Sequence, residues 1–283
     1  MLNPDSQISR RFYRRLVYPT IALLVAVGLT IAAPHPTVAF GKLRDLVGPG
    51  LQVLQLSTLS DQQEVALGQQ INQQLLRNQF RLSDNRQVNR YVTRLGDSLV
   101  PYSDRPNLPY TFQVVEDDSV NAFATMGGFV YVTTGLLQEA DNEAQVAGVM
   151  AHEIGHIAEK HSIQQMRETI IARGLADAAG VDRNVAVQLG LEIALRLPRS
   201  RQHEYEADRN ALDTMLAAGY APVGLIQFFE KLLDKPSPPT FLSTHPASED
   251  RIAALQQMIP PGQARVGEGL SESTYRSNVR SLF

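Results

Sequence analysis

No cysteine occurs among the 283 residues. That excludes disulfides, thiolate catalysis and zinc held by sulfur, so any zinc here must be held by His, Asp or Glu. It also excludes an anchor built on a lipidated cysteine, while leaving the compartment open, since exported proteins need not use disulfides. Beyond the first few residues there is no run of Lys and Arg, and the formal net charge is −3; nothing points to nucleic acid as a partner. Internal repeats and long low-complexity segments are also lacking. What remains is 43% hydrophobic and 19% charged, the make-up of one large globular domain with or without appendages.

The N-terminus has the layout of an export signal. Ser9 to Arg15 is basic, Ile21 to Ala33 is apolar and uncharged, and Thr37-Val38-Ala39 offers a small-x-small cleavage site. The apolar core falls short of the ~20 residues that span hydrocarbon, so residues 1–39 are expected to be a cleaved signal peptide, with a retained membrane anchor as the other reading. Cleavage removes four arginines and one aspartate and takes the net charge from −3 to −6. The mature chain is then mildly acidic and without a basic patch for anionic lipid. Residues 40–59 read as a linker, 60–259 as the functional domain and 260–283 as a polar tail.

Within that domain, Ser60 and Gln63 form a capping-box pattern for a helix to about Phe80, and Asp84 opens another to about Val100. "PYSDRPNLP" is a proline-rich loop. From Tyr110 the pattern turns to short alternating runs, with Gly127-Gly128 marking a hairpin, and three antiparallel strands are expected. Asp141 begins a helix. Residues 169–198 are apolar, but Arg173, Asp177, Asp182, Arg183, Glu192 and Arg196 interrupt them, so an amphipathic pair of helices or a cover over a cleft fits better than a membrane span. Helices are further expected from about Ser200 to Ala218, stopped by Gly219, from Pro222 to Leu233 and from Ala247 to Met258.

Three of the six histidines lie in "AGVMAHEIGHIAEKH", Ala147 to His161. His152 and His156, four apart on a helix, project from one face and can share one ion. Glu153 is set to reach a water beside that ion rather than the ion itself, the H-E-x-x-H arrangement for hydrolysis of a carbonyl. The alternative is a solvated face of His, Glu and Lys, which suits Lys160 and His161 but not two histidines among "GVMA" and "IG". His161, nine residues after His152, is expected to face away as a solvated helix-end residue. A catalytic zinc needs a third protein ligand, and "RSRQHEYEADR" supplies Glu204, Glu206 and His203 as candidates. Glu204 and Asp208 share a face, so one can ligate while the other orients a histidine.

These motifs together resemble the HtpX and CAAX prenyl protease family of zinc metallopeptidases. Four segments carry the resemblance, in the family's order, from about Leu59 to Ile259: the hairpin "VNAFATMGGFVYVTTGLL", with Met126 where proline is common, then HExxH, "EYEAD" and "STHPASEDRI". The resemblance implies an α+β, predominantly α-helical fold, a gluzincin-type metalloprotease domain with a small antiparallel sheet packed on the HExxH helix. It implies one Zn2+ per chain on His152, His156 and Glu204, Asp208 behind a ligating histidine, and Glu153 as general base and acid. His245 would face the metal as an oxyanion donor or as a fourth ligand that holds the enzyme latent, with loop capping as the bland alternative. Arg251 would pair with an acidic residue. Asn121, Gly128, Phe129, Val130 and Tyr131 would line an edge strand along which substrate adds by β-augmentation. The expected activity is endopeptidase cleavage of unfolded or misassembled proteins in the bacterial periplasm, cell envelope or an equivalent lumen, with peripheral membrane association allowed. The rival is a binding or assembly factor that rarely cuts.

Overall fold

The computed structural model describes residues 53–174, 180–246 and 249–283. The signal-like segment 1–39, most of the linker, the centre of the 169–198 stretch and the start of the helix expected at Ala247 lie outside the described residues. Among the described residues no helix is long and apolar enough to cross a membrane.

In chain order the elements are α1 (Asp61–Asn78), α2 (Arg86–Leu99), β1 (Thr111–Val115), β2 (Ala122–Thr125), β3 (Phe129–Thr133), α3 (Thr134–Glu139), α4 (Glu143–Ala158), α5 (His161–Ala172), α6 (Arg183–Leu195), α7 (Arg201–Ala218), α8 (Val223–Leu233), α9 (Thr240–Thr244), α10 (Glu249–Met258) and α11 (Glu272–Val279). Helix starts follow the caps. Ser60 and Gln63 exchange the two bonds of a capping box on α1, and Ser200 accepts from the His203 amide at α7. Asn85 and Asn142, rather than Asp84 and Asp141, cap α2 and α4 with their side-chain oxygens. Gly219, left-handed at φ 84°, ends α7 as expected.

Besides a two-stranded antiparallel pairing of Val53–Leu54 with Val181–Asp182, there is a three-stranded sheet that is mixed, in the order β1-β3-β2, and this corrects the antiparallel expectation. β2 and β3 pair antiparallel through the Gly127-Gly128 turn, where φ of 81° and 94° suits glycine. The hairpin sends β3 back along the direction of β1, so β1 and β3 pair in parallel. Alternation along a strand reports which face is buried, not which way its neighbour runs. β3 is the central strand, and both its faces are covered. Val130 and Val132 join the core of α2, α4, α7 and α8, whereas Phe129 and Tyr131 join a second core with α1, α5 and α6. The sheet therefore covers the HExxH helix on one side, as expected, and carries a second helical layer on the other.

The proline-rich loop ties these layers together through Arg105. Its guanidinium donates to both carboxylate oxygens of buried Glu64 on α1, at 3.1 and 2.9 Å, and to the Ile157 carbonyl near the end of α4, at 3.1 Å. Glu64 also accepts from the Gly127 amide at 3.1 Å. Arg105→Met leaves that carboxylate with Lys160 as its remaining cation, 3.8 Å away. We expect a loss of about 2 kcal/mol, read as a lower urea midpoint with an unchanged m-value.

The segment from Pro260, expected as a polar tail, contains α11. Tyr275 and Val279 of α11 are fully buried, and the Tyr275 hydroxyl donates to the Leu137 carbonyl. Only two apolar side chains of this short helix are buried, too few to stand out as periodicity in a polar stretch.

Candidate metal centre

α4 is buried all round from Ala144 to Ile157, as a helix at the centre of a core should be. Its small residues set the spacing. A Cβ on Gly155 would lie 3.0 Å from the Ala207 carbonyl oxygen of α7, so glycine here lets the two motif-bearing helices meet backbone to backbone. That contact brings Glu204 and Asp208 of α7 opposite His152 and His156.

One donor atom from each of His152, His156, Glu204 and His245 falls within a group whose members lie within 4.8 Å of one another, and all four side chains are buried. The Nε2 atoms of His152 and His156 are 3.0 Å apart. Glu204 Oε2 is 3.5 Å from His152 Nε2, and Glu204 Oε1 is 3.3 Å from His156 Nε2. His245 Nδ1 lies 3.3 Å from Glu204 Oε1 and 3.4 Å from His152 Nε2. Four ligands at zinc-bond lengths in a tetrahedron are separated from each other by about 3.3 Å. Three imidazoles and one carboxylate at these separations fit a zinc ion, and they suit magnesium or calcium poorly because those ions favour oxygen.

The supporting groups are acidic on one side and cationic on the other. Asp208 Oδ1 lies 3.0 Å from His152 Nδ1, which orients that ring with Nε2 toward the other donors. Arg251, for which the sequence motif suggests one acidic partner, holds two: its Nε and Nη2 donate to Asp208 at 2.7 and 2.6 Å, and Nη1 lies 2.6 Å from Glu204 Oε2. Burial lowers the basicity of His152, but the Asp208 and Glu204 carboxylates outweigh it and raise the pKa to about 9 in the metal-free chain. Burial acts the other way on Glu204, yet the neighbouring histidines, His245 foremost, hold its pKa well below the usual carboxylate range.

Glu153 is fully buried, and neither carboxylate oxygen has a hydrogen-bond partner. His245 Nε2 lies 3.4 Å from its Oε1. An acid left unpartnered in a core is costly, and one beside a set of metal donors is placed to act on what enters there. His245 is held by its ring, stacked on Phe241 at 4.7 Å; sequence spacing could not locate Phe241 beneath it.

Several expected placements change. His161 is neither solvated nor turned away: it is fully buried, its Nδ1 is 2.8 Å from His156 Nδ1, and its Nε2 is 3.0 Å from Glu206 Oε2. Burial, with His203 and Arg199 nearby, pushes its pKa down to about 4. The helix does not run through: α4 ends at Ala158, and Lys160 adopts a left-handed φ of 57°, so the helical phase that would place His161 is lost. No Gly or Asn marks the turn. Glu206 faces His161 rather than the donor set, and the His203 ring stacks on His161 at 4.3 Å.

Gly128, Phe129, Val130 and Tyr131 are also displaced from their expected role. β3 is paired on both sides, so it offers no edge for an added strand; the edge strands are β1 and β2. Tyr131 is a core residue that stacks on Phe123 at 4.5 Å and donates to Asn72. Asn121, just before β2, keeps a buried side-chain oxygen without a partner.

Comparison with known proteins agrees with this geometry. Residues 86–259 match the family described as Peptidase family M48. The chain is 35% identical over 254 residues to a putative beta-barrel assembly-enhancing protease of Vibrio cholerae, covering 83% of this chain and 51% of that protein. It is 30% identical over 288 residues to the beta-barrel assembly-enhancing protease of Escherichia coli, covering 95% and 58% respectively. It is 27% identical over 226 residues to Metalloprotease YcaL of Escherichia coli, covering 77% of this chain and 88% of that one. The chain thus spans between half and three-fifths of the length of the two assembly-enhancing relatives.

Proposed function

The chain belongs to Peptidase family M48, and from that premise we propose that it is a zinc-dependent endopeptidase acting on unfolded or misassembled proteins of the cell envelope. The observation that carries this reading is the convergence of His152, His156, Glu204 and His245 beside the unpartnered carboxylate of Glu153. The substrate class is supported by the names of the relatives, beta-barrel assembly-enhancing proteases, and by the export-signal pattern of residues 1–39.

When bound, zinc supplies Lewis acidity that polarises a scissile carbonyl and acidifies water. His152, His156 and Glu204 would hold it. Asp208 lies 3.0 Å from His152 Nδ1 and Arg251 lies 2.6 Å from Glu204 Oε2, so both side chains are held from behind before substrate arrives. Glu153 takes the proton of the attacking water on a carboxylate oxygen and returns it to the leaving amine. An inhibitor-free casein assay should lose all zinc-dependent cleavage on chelation and regain it with one equivalent of zinc; cleavage that survives complete metal removal rules out this mechanism.

His245 gives the site a fourth protein donor, and closed four-ligand sets are otherwise typical of structural zinc. The buried, unpartnered Glu153 favours a catalytic site held shut over a structural one. In this reading His245 occupies the position that substrate needs, and cleavage begins when it withdraws. If the shut form outnumbers the open one about tenfold, His245→Ala raises peptide cleavage about tenfold. A structural site would instead lose zinc and stability with no gain in rate, and an oxyanion-donor role for His245 would appear as a fall in kcat.

A further inference from the structure

His156 is held on the side away from the donor set by a histidine that the zinc chemistry does not use. Its Nδ1 lies 2.8 Å from His161 Nδ1, and His161 Nε2 lies 3.0 Å from Glu206 Oε2. A contact between two ring nitrogens is a hydrogen bond only if one of them carries the hydrogen. The direction follows from the far end of the chain. An ionised carboxylate only accepts, so His161 Nε2 bears the hydrogen and donates to Glu206. In a neutral ring His161 Nδ1 is then bare and must accept. The hydrogen in the first contact therefore sits on His156 Nδ1, which leaves His156 Nε2 with a lone pair directed at the other donors.

We propose that His161 and Glu206 form a relay that fixes the tautomer and ring orientation of His156, making them positioning residues of the metal site. They do for His156, in two steps, what Asp208 does directly for His152 at 3.0 Å. Three further observations support a built arrangement. His161 is fully buried, and its ring is clamped by the stacked His203 ring at 4.3 Å and 22°. Glu206 is itself steadied by Gln202, which donates to Oε1 at 2.9 Å. Lys160, at φ 57°, is the single non-glycine residue with positive φ among the described residues, a conformation that carries a steric cost for a residue with a Cβ. That turn starts α5 at His161 and brings its ring back against His156; strain of this kind is worth keeping where it places a functional group.

This inference rests on the metallopeptidase reading, and its test separates the two. Zinc is titrated into the full metal-free chain in competition with a chromophoric chelator. Loss of an outer hydrogen-bond partner typically weakens metal binding 10- to 100-fold, and we expect a loss of about that size for His161→Leu, which keeps the packing but not the relay. His161→Gln can accept from His156 with its amide oxygen and donate to Glu206 with its amide nitrogen, and it should stay within about threefold of wild type. Glu206→Ala, at a half-exposed carboxylate, should weaken binding about tenfold and carries the test if His161→Leu does not fold. Long-range proton–nitrogen spectra should place the ring hydrogen of His156 on Nδ1 and that of His161 on Nε2. Wild-type affinity in both His161→Leu and Glu206→Ala, equal weakening in the Gln and Leu variants, or a His156 hydrogen on Nε2 overturns the relay alone. A wild-type chain that takes up no zinc overturns the metallopeptidase reading and the relay with it.

Discussion

Glu153→Gln is expected to abolish measurable proteolysis, lowering kcat by about 100- to 10,000-fold, while zinc content stays at one per chain. The amide has the shape of the carboxylate but cannot take a proton from water, and Glu153 is not among the converging donors. Its oxygens make no hydrogen bond in the folded chain, and the one ion-pair contact given for it is His245 Nε2, 3.4 Å from Oε1, so the substitution disturbs little of the packing. It also takes away a buried charge that is costly without the metal, so the metal-free variant should be at least as stable as wild type. The measurement pairs metal analysis with casein cleavage and with turnover of misassembled envelope proteins. Unchanged turnover in the variant would favour the rival reading, a binding or assembly factor whose action does not depend on cutting.

Much of this centre is legible in the amino-acid sequence alone. His152 and His156 are four apart, and Glu204 and Asp208 are four apart; i,i+4 pairs share a helix face whatever the tertiary context. The small residues of α4 announce close packing, and Gly155 meets α7 as that suggests. What is not legible depends on breaks in phase and on order in space. Helical phase misplaces His161 because Lys160 turns the chain without a glycine to mark it. A hairpin pattern does not say which of its strands a third will join; β1 joins β3, which takes β3 away from the edge. Glu206 and His203 lie beside Glu204 in sequence but point to a different side of α7, toward α5. The motif also leaves open what Arg251 binds, because one guanidinium reaching two carboxylates four residues apart is a fact of packing between α7 and α10.

That packing sets the second large expectation. Arg251→Met should destabilise the metal-free chain by about 3–5 kcal/mol, the usual cost of breaking a buried pair from one side. For a domain of this size that is a fall in midpoint temperature of about 6–20 °C. Arg251 is 2% exposed; besides Asp208 and Glu204 it donates to the Pro246 carbonyl at 3.0 Å and lies over the Phe229 ring at 4.8 Å. Methionine can replace much of the stem's packing but none of the charge, so two buried carboxylates are left to the histidines alone. Lysine should recover only part of the loss, since a point charge cannot serve both acids with a planar fork. Zinc restores a cation on the Glu204 side, so the midpoint gap between variant and wild type should narrow when both are saturated with zinc. Calorimetry of both chains with and without zinc checks all of this. A variant as stable as wild type without metal would mean that Arg251 is not what balances the buried acids of the centre.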